Sequence, residues 1–350
     1  MRAITVLPGL PQSARLEHVA APLPSDGTVL VRASLLGVCA TDRDIVSGRY
    51  GSPPPGQQRL ILGHESLGQV EEAPVQSGFK RGDLVVGIVR RPDPVPCPAC
   101  SAGEWDMCRN GRYSERGIKD RHGYGAELFR VEPEFTIRIG PELGSLGVLL
   151  EPTSIVAKAW DHTDGIGGRS PSWRPRTALV TGAGPIGLLA ALMGVQRGVD
   201  VHVFGRSNGG PREALVRELG GTFHTGDMGR LAGLKPDIVM ECTGATNVIR
   251  DCLSVIAPSG IMCLAGFASS AARVELDIGA LNRAMVINNQ AVFGTVNANR
   301  RHYAAAADAL NRADKHWLAR LITRRVPLKR FAEALERRPG DIKVVIDFIE

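Results

Sequence analysis

Three glycines constrain this chain more than any other feature. The run VTGAGPIGLLAAL sets Gly182, Gly184 and Gly187 between an apolar stretch, TALV, and a stretch rich in Leu and Ala. A G-x-G-x-x-G is informative when a strand precedes it and a helix follows. The first glycine permits a tight turn, the second lets backbone approach a pyrophosphate, and the third lets helix and strand pack closely. Phosphates then meet the free amides and positive dipole at the helix N-terminus. The window Thr177 to Gln196 carries no charge and has the length of a membrane span, but its glycines and Pro185 break it into strand, turn and helix. No membrane association is expected.

From Thr177 onward, apolar runs alternate with helical periods: TALV, IGLLAALMGVQRG, DVHVF, PREALVRELGG, DIVMEC, TNVIRDCLSVI and GIMCLAG. Such alternation predicts βαβ units around a doubly wound parallel sheet, with AVFGTV a candidate sixth strand. The first 165 or so residues instead read as short apolar strands, among them Thr28 to Leu36, Leu67 to Glu71 and Leu84 to Val89, with no long amphipathic helix. The Gly-, Pro-, Ser- and Arg-rich segment DGIGGRSPSWRPR (164–176) marks a seam. The expected division is one domain of 1–169 with 297–350 and a second of 170–296.

A nucleotide domain that takes NAD closes its second strand with Asp or Glu, which holds the ribose hydroxyls. Here that place reads VFGRSNGG, so Arg206, Ser207 and Asn208 stand where the acid belongs. An acid would repel a 2′-phosphate, whereas Arg206 can hold one through two parallel hydrogen bonds, with Ser207 and Asn208 adding neutral ones. NADP is the expected cofactor, NAD the weaker one.

The net charge of +6 is spread along 350 residues, which favours no nucleic-acid partner but suits an anionic small molecule. Seven cysteines is an odd count, and three crowd together, so metal or thiol chemistry in a reducing compartment fits better than a disulfide frame. The N-terminus has no signal-like apolar run and meets proline at position 8, so the expected location is cytoplasmic.

Cys39 in GVCATD, His64 and Glu65 in GHE, and Glu151 in LLEP offer one thiolate, one imidazole and two carboxylates. That donor set suits a tetrahedral zinc with an exchangeable position. Cys97 and Cys100 in CPAC, with Cys108 eight residues on, give an incomplete structural-zinc pattern.

Taken in order, GVCATD, GHE, CPAC with a later Cys, and GAGPIG resemble the zinc-dependent medium-chain dehydrogenase/reductase superfamily over the entire chain. The RR at 90–91, YSERGI followed by HGYGAE, LLEPTSIVAKA, and NNQAVFGTVNANRRHY are similar to its glucose (aldose) dehydrogenase branch. The resemblance implies a GroES-like β-rich catalytic domain, a Rossmann nucleotide domain, and a homodimer or homotetramer. It places Glu65 and Glu151 in the metal environment with Cys39 and His64, and Glu151 also beside the substrate. It gives Thr41 the contact with the substrate oxygen and the relay of its proton. Glu115 and Asn297 are implied to bond sugar hydroxyls, reaching the metal from opposite domains. Candidate cofactor residues are Gly182, Gly184, Pro185, Ile186, Gly187, Gly205, Arg206, Ser207, Thr243, Gly244 and Asn297.

Two departures stand out. Where some members of the branch carry a sugar-binding Asn, this chain has Val89, and the first ligand of the usual four-cysteine lobe falls on Pro94. Asp93 and Glu104 are candidates for the missing ligand; the alternative is a lobe without metal. The resulting expectation is a zinc-dependent oxidoreductase that transfers hydride from a sugar or polyol hydroxyl to NADP. The departures motivate one alternative, an aminosugar, cyclitol or specialised-metabolite alcohol as substrate. Another class altogether, a non-catalytic NADP-binding sensor, is opposed by the retained Cys39, His64, Glu65 and Glu151 with Thr41.

Overall fold

The computed structural model describes residues 1–206, 209–268 and 273–349. They form two compact units, Met1–Ser154 with Asn297–Glu350, and Ile155–Val296.

In the second unit six strands make one sheet, in the order Thr222–His224, Asp200–Phe204, Thr177–Thr181, Ile238–Glu241, Ile261–Leu264, Ala291–Gly294. Every neighbouring pair is parallel. The chain order reverses between Thr177–Thr181 and Ile238–Glu241, and in open sheets of this kind ligands bind at the carboxyl ends of the strands beside that reversal. Buried Leu179, Val239, Met262 and Cys252 fill one face of the sheet. AVFG does form the sixth strand.

In the first unit the largest sheet runs Thr136–Arg138, Leu84–Gly87, Glu65–Glu72, Val29–Val38, Lys343–Asp347, Ile322–Pro327. The C-terminal strand therefore lies beside one from the first forty residues, with Val344 opposite Val38, while Glu65 lies opposite Gly37 on the other side. This register assembles the metal-ligand candidates described below.

One element differs from the sequence reading. Leu150–Gly167 is an 18-residue helix inside the region read as strands. Residues 150–154 and 156–160 are all buried, so the segment lacks the one-sided apolar stripe that marks a surface helix. The two units divide inside this helix, at Ser154/Ile155, rather than at the loop after it. No described helix is long and apolar enough to cross a membrane.

Candidate active site

Cys39 sits at the N-terminus of the short helix Ala40–Val46, and His64 and Glu65 lie where the chain enters the Glu65–Glu72 strand. One ligand atom from each of the three lies within 4.8 Å of the other two. Asp42 organizes the group: its Oδ2 accepts the Cys39 N–H at 2.8 Å, and its Oδ1 lies 3.3 Å from His64 Nδ1. The 3.3 Å approach is an ionic contact and not a formed hydrogen bond, and it puts a carboxylate behind the imidazole, as is common in metal-ligand shells. Burial opposes a charge on His64, but Asp42 outweighs it and holds the imidazole pKa well above the ordinary value. Sequence reasoning passed over Asp42, although an acid three residues after the residue that starts a helix is a capping signal.

Glu65 is completely enclosed and meets Lys343, whose Nζ lies 2.7 and 2.6 Å from its two carboxylate oxygens. The approach depends on Gly37, because a Cβ there would lie 2.0 Å from Glu65 Oε2. Lys343 is likewise buried; burial works against its charge, yet Glu65 raises its pKa above the lysine norm. Glu151 falls outside the cluster formed by Cys39, His64 and Glu65. Burial pushes its carboxyl up to about 7, with His64 pulling the other way and Glu65 adding to the rise. Thus three of the four expected ligands come together, and their soft and hard donors fit zinc. Thr41 stands beside them, its Oγ1 3.8 Å from Cys39 Sγ.

Glu115 and Asn297 belong to the same unit, not to opposite ones, and they touch: Asn297 Nδ2 donates to Glu115 Oε1. Asn297 opens the segment that returns to the first unit, as the expected division of the chain at 297 implies, so it is the expectation of opposite domains that fails. Arg90 also donates to Glu115 Oε1, from Nε at 3.1 Å and Nη2 at 2.9 Å, and its guanidinium lies 3.6 Å from the centre of the Tyr113 ring. Arg90 is thereby occupied and does not form an anion site. Val89 is buried, with its carbonyl accepting the Arg116 N–H at 3.0 Å.

The sulfurs of Cys97, Cys100 and Cys108 also lie within 4.8 Å of one another. Neither candidate fourth ligand joins them. Asp93 accepts from Val95 N, Asn110 Nδ2 and Arg112 Nε, and Glu104 pairs with Arg301 at 2.9 Å. The protein supplies three thiols here, one short of a closed structural zinc site.

In the second unit, Gly184 caps the helix Pro185–Val195 with Pro185 in its first turn, and Gly182 adopts φ +92°. A Cβ at Gly187 would lie 1.7 Å from Gly182 O, whereas one at Gly184 would meet nothing within 4 Å. The third glycine is thus demanded by packing, and the second faces open space where backbone can approach a pyrophosphate, so the cradle fits a dinucleotide. Gly205 packs against Phe223, since a Cβ there would lie 2.4 Å from that ring, and Arg206 is exposed just beyond it. Ser207 and Asn208 lie outside the described residues. Thr243 and Gly244 follow the Ile238–Glu241 strand, but their amides turn inward to the Glu241 carboxylate.

Residues 25–141 match the alcohol dehydrogenase GroES-like domain, and residues 144–348 match the glucose dehydrogenase C-terminus. A glucose 1-dehydrogenase 2 of Vulcanisaeta moutnovskia is 39% identical over 357 residues, covering 100% of both chains. A glucose 1-dehydrogenase of Thermoproteus tenax is 40% identical over 357 residues, covering 99% of each. Among solved structures, Haloferax mediterranei glucose dehydrogenase in complex with NADP, Zn and gluconolactone superimposes with a TM-score of 0.91, at 32% identity and with all of both chains covered.

Proposed function

Because this chain belongs to the glucose dehydrogenase family of GroES-like medium-chain dehydrogenases, we propose that it is a zinc-dependent enzyme that oxidises glucose or a close aldose with NADP. The observation that carries this reading is the Cys39, His64 and Glu65 cluster, in a chain whose full-length relatives are glucose 1-dehydrogenases. Zinc supplies Lewis acidity that makes a substrate hydroxyl easier to deprotonate, and NADP supplies the hydride acceptor. The residues do the rest. Asp42 orients His64, Lys343 balances Glu65 in the buried shell, and the Thr41 hydroxyl beside Cys39 takes the substrate proton toward water. The decisive experiment combines zinc content with NADP-linked rates on a panel of aldoses, linear polyols and cyclitols. Activity confined to cyclitols or aminosugars would move the substrate class, and tight NADP binding without zinc or turnover would favour a sensor.

Glu115 and Asn297 supply a carboxylate oxygen and an amide at one place, which suits paired hydroxyls. Glu115→Gln keeps the shape and removes the charge. It is expected to raise the Michaelis constant for glucose several-fold more than that for a monohydric alcohol, read from kcat/KM on both. Equal proportional losses would assign Glu115 to the fold, through Arg90, rather than to the sugar.

Arg206 stands at the 2′-phosphate position. Arg206→Ala is expected to weaken NADP binding by about 1 to 3 kcal/mol, roughly five- to 150-fold, and leave NAD nearly unchanged, as read by cofactor titration. Loss of both cofactors alike would remove the assignment. A second zinc at Cys97, Cys100 and Cys108 requires a fourth donor from solvent and is the more readily chelated of the two. The enzyme works as a homodimer or homotetramer in the cytoplasm. All seven cysteines are free, and the Ala291–Gly294 edge strand follows a helix with exposed Val286 and Ile287, a face suited to a second copy.

A further inference from the structure

Glu241 ends the strand on one side of the chain-order reversal, and it is fully buried. Its carboxylate accepts from Thr181 Oγ1 at 3.3 Å, from Thr243 N at 2.7 Å, from Thr243 Oγ1, and from Gly244 N at 3.1 and 3.2 Å. Thr181 is the last residue of the neighbouring strand, so this one side chain ties together the carboxyl ends of the two strands that flank the reversal. Its main-chain oxygen binds a third segment, accepting the N–H groups of Ala265 and Gly266 at 2.8 Å each.

The surrounding packing leaves little freedom. A Cβ at Gly266 would lie 2.2 Å from Gly244 N and 2.8 Å from Glu241 Oε2. Gly244 has φ +66°, and a Cβ there would lie 2.4 Å from Phe267 O. Thr243 in turn packs on the first glycine of the G-x-G-x-x-G, since a Cβ at Gly182 would lie 2.8 Å from Thr243 Cγ2. A buried acid beside the place where an anionic cofactor binds is costly unless it organizes something. Here it takes up donors that would otherwise be free to turn elsewhere, which fixes the turn and leaves its opposite face for the ligand.

We propose that Glu241 is a positioning residue for the dinucleotide: by gathering Thr181, Thr243 and Gly244 it sets the Thr243–Gly244 turn against Gly182 at the strand-order reversal. The proposal rests on the NADP reading above. Glu241→Gln preserves size and keeps an acceptor at Oε1, where all the donors converge, but removes the charge they share and turns an NH2 group at the Oε2 place toward the Gly244 N–H. Thr181→Val lies outside the turn and deletes a single donor.

The test titrates NADP into wild type and both variants by fluorescence, with cofactor-free melting temperatures and full kinetics beside it. Glu241→Gln is expected to raise the NADP Kd and KM about tenfold, and Thr181→Val two- to threefold. The sugar KM and kcat at saturating NADP change less than twofold in both. Unchanged NADP affinity in a folded variant, or a loss that falls on kcat and follows the melting temperature, overturns the proposal. If Glu241→Gln does not fold, Thr181→Val decides on the same criteria. A wild type that binds no NADP refutes the functional reading instead, which keeps the two failures apart.

Discussion

Replacing His64 by Ala is expected to lower turnover at saturating glucose and NADP by at least about a thousandfold, with NADP binding within twofold of wild type. The size follows from what the missing group supports. Lewis-acid stabilisation of developing charge is worth several kcal/mol, and each 1.36 kcal/mol is tenfold in rate. NADP binding persists because the glycine turn, the helix at Pro185 and Arg206 all belong to the other unit of the chain. His64 is buried, so its removal also leaves Asp42 Oδ1 without its neighbour and opens a cavity. Cys39→Ser changes one atom and is expected to lose zinc and activity with less effect on stability. Asp42→Asn, which keeps the bond to the Cys39 amide but weakens the hold on His64, is expected to lower zinc affinity by about ten- to a hundredfold. Zinc analysis, NADP titration and steady-state rates on the three variants check this. A His64→Ala protein that retained a tenth of the wild-type rate would remove His64 from the chemistry.

Much of this was legible in the sequence where local chemistry is self-sufficient. The glycine turn could be read because each glycine answers a nearby steric demand, as the 1.7 Å clash at Gly187 shows. The thiolate, imidazole and carboxylate of Cys39, His64 and Glu65 could be listed from residue type, and the resemblance supplied the expectation that they meet. Partners brought together only by tertiary register were not legible. Lys343 is 278 residues from Glu65 and reaches it because the last strand pairs beside Val29–Val38. Nothing in IKVVIDF marks that lysine as buried. The helix Leu150–Gly167 was missed because a segment enclosed on most sides loses the periodic stripe that reveals a helix. Within DIVMEC nothing marks Glu241, since the donors its side chain collects come from a neighbouring strand and the turn that follows.

Lys343→Met is expected to have the largest effect on stability, a loss of about 3 to 5 kcal/mol in the metal-free protein. The reason is asymmetry. The ammonium and the Glu65 carboxylate are both buried, with side chains 3% and 2% exposed, so deleting one leaves the other as an unpaired charge away from water. Removing both groups relieves that penalty, and the double variant Glu65→Gln with Lys343→Met is expected to be more stable than either single one. The pairing raises the lysine pKa, so its stabilisation is fully present below the unfolded lysine value and is lost only as pH climbs through the raised one. Denaturant midpoints of the four proteins are therefore best taken at about pH 8.5, above the Glu151 value of about 7 and below the ordinary lysine value, where the ammonium is charged. Zinc adds a second test. Glu65 lies in the ligand cluster, so saturating zinc gives the orphaned carboxylate another positive partner and is expected to stabilise Lys343→Met more than the double variant, in which Cys39 and His64 hold the ion without that carboxylate. Additive single losses would mean that the two charges do not depend on each other. A zinc effect equal in Lys343→Met and the double variant would place Glu65 outside the metal shell, leaving Cys39 and His64 to hold the ion with a donor other than this carboxylate.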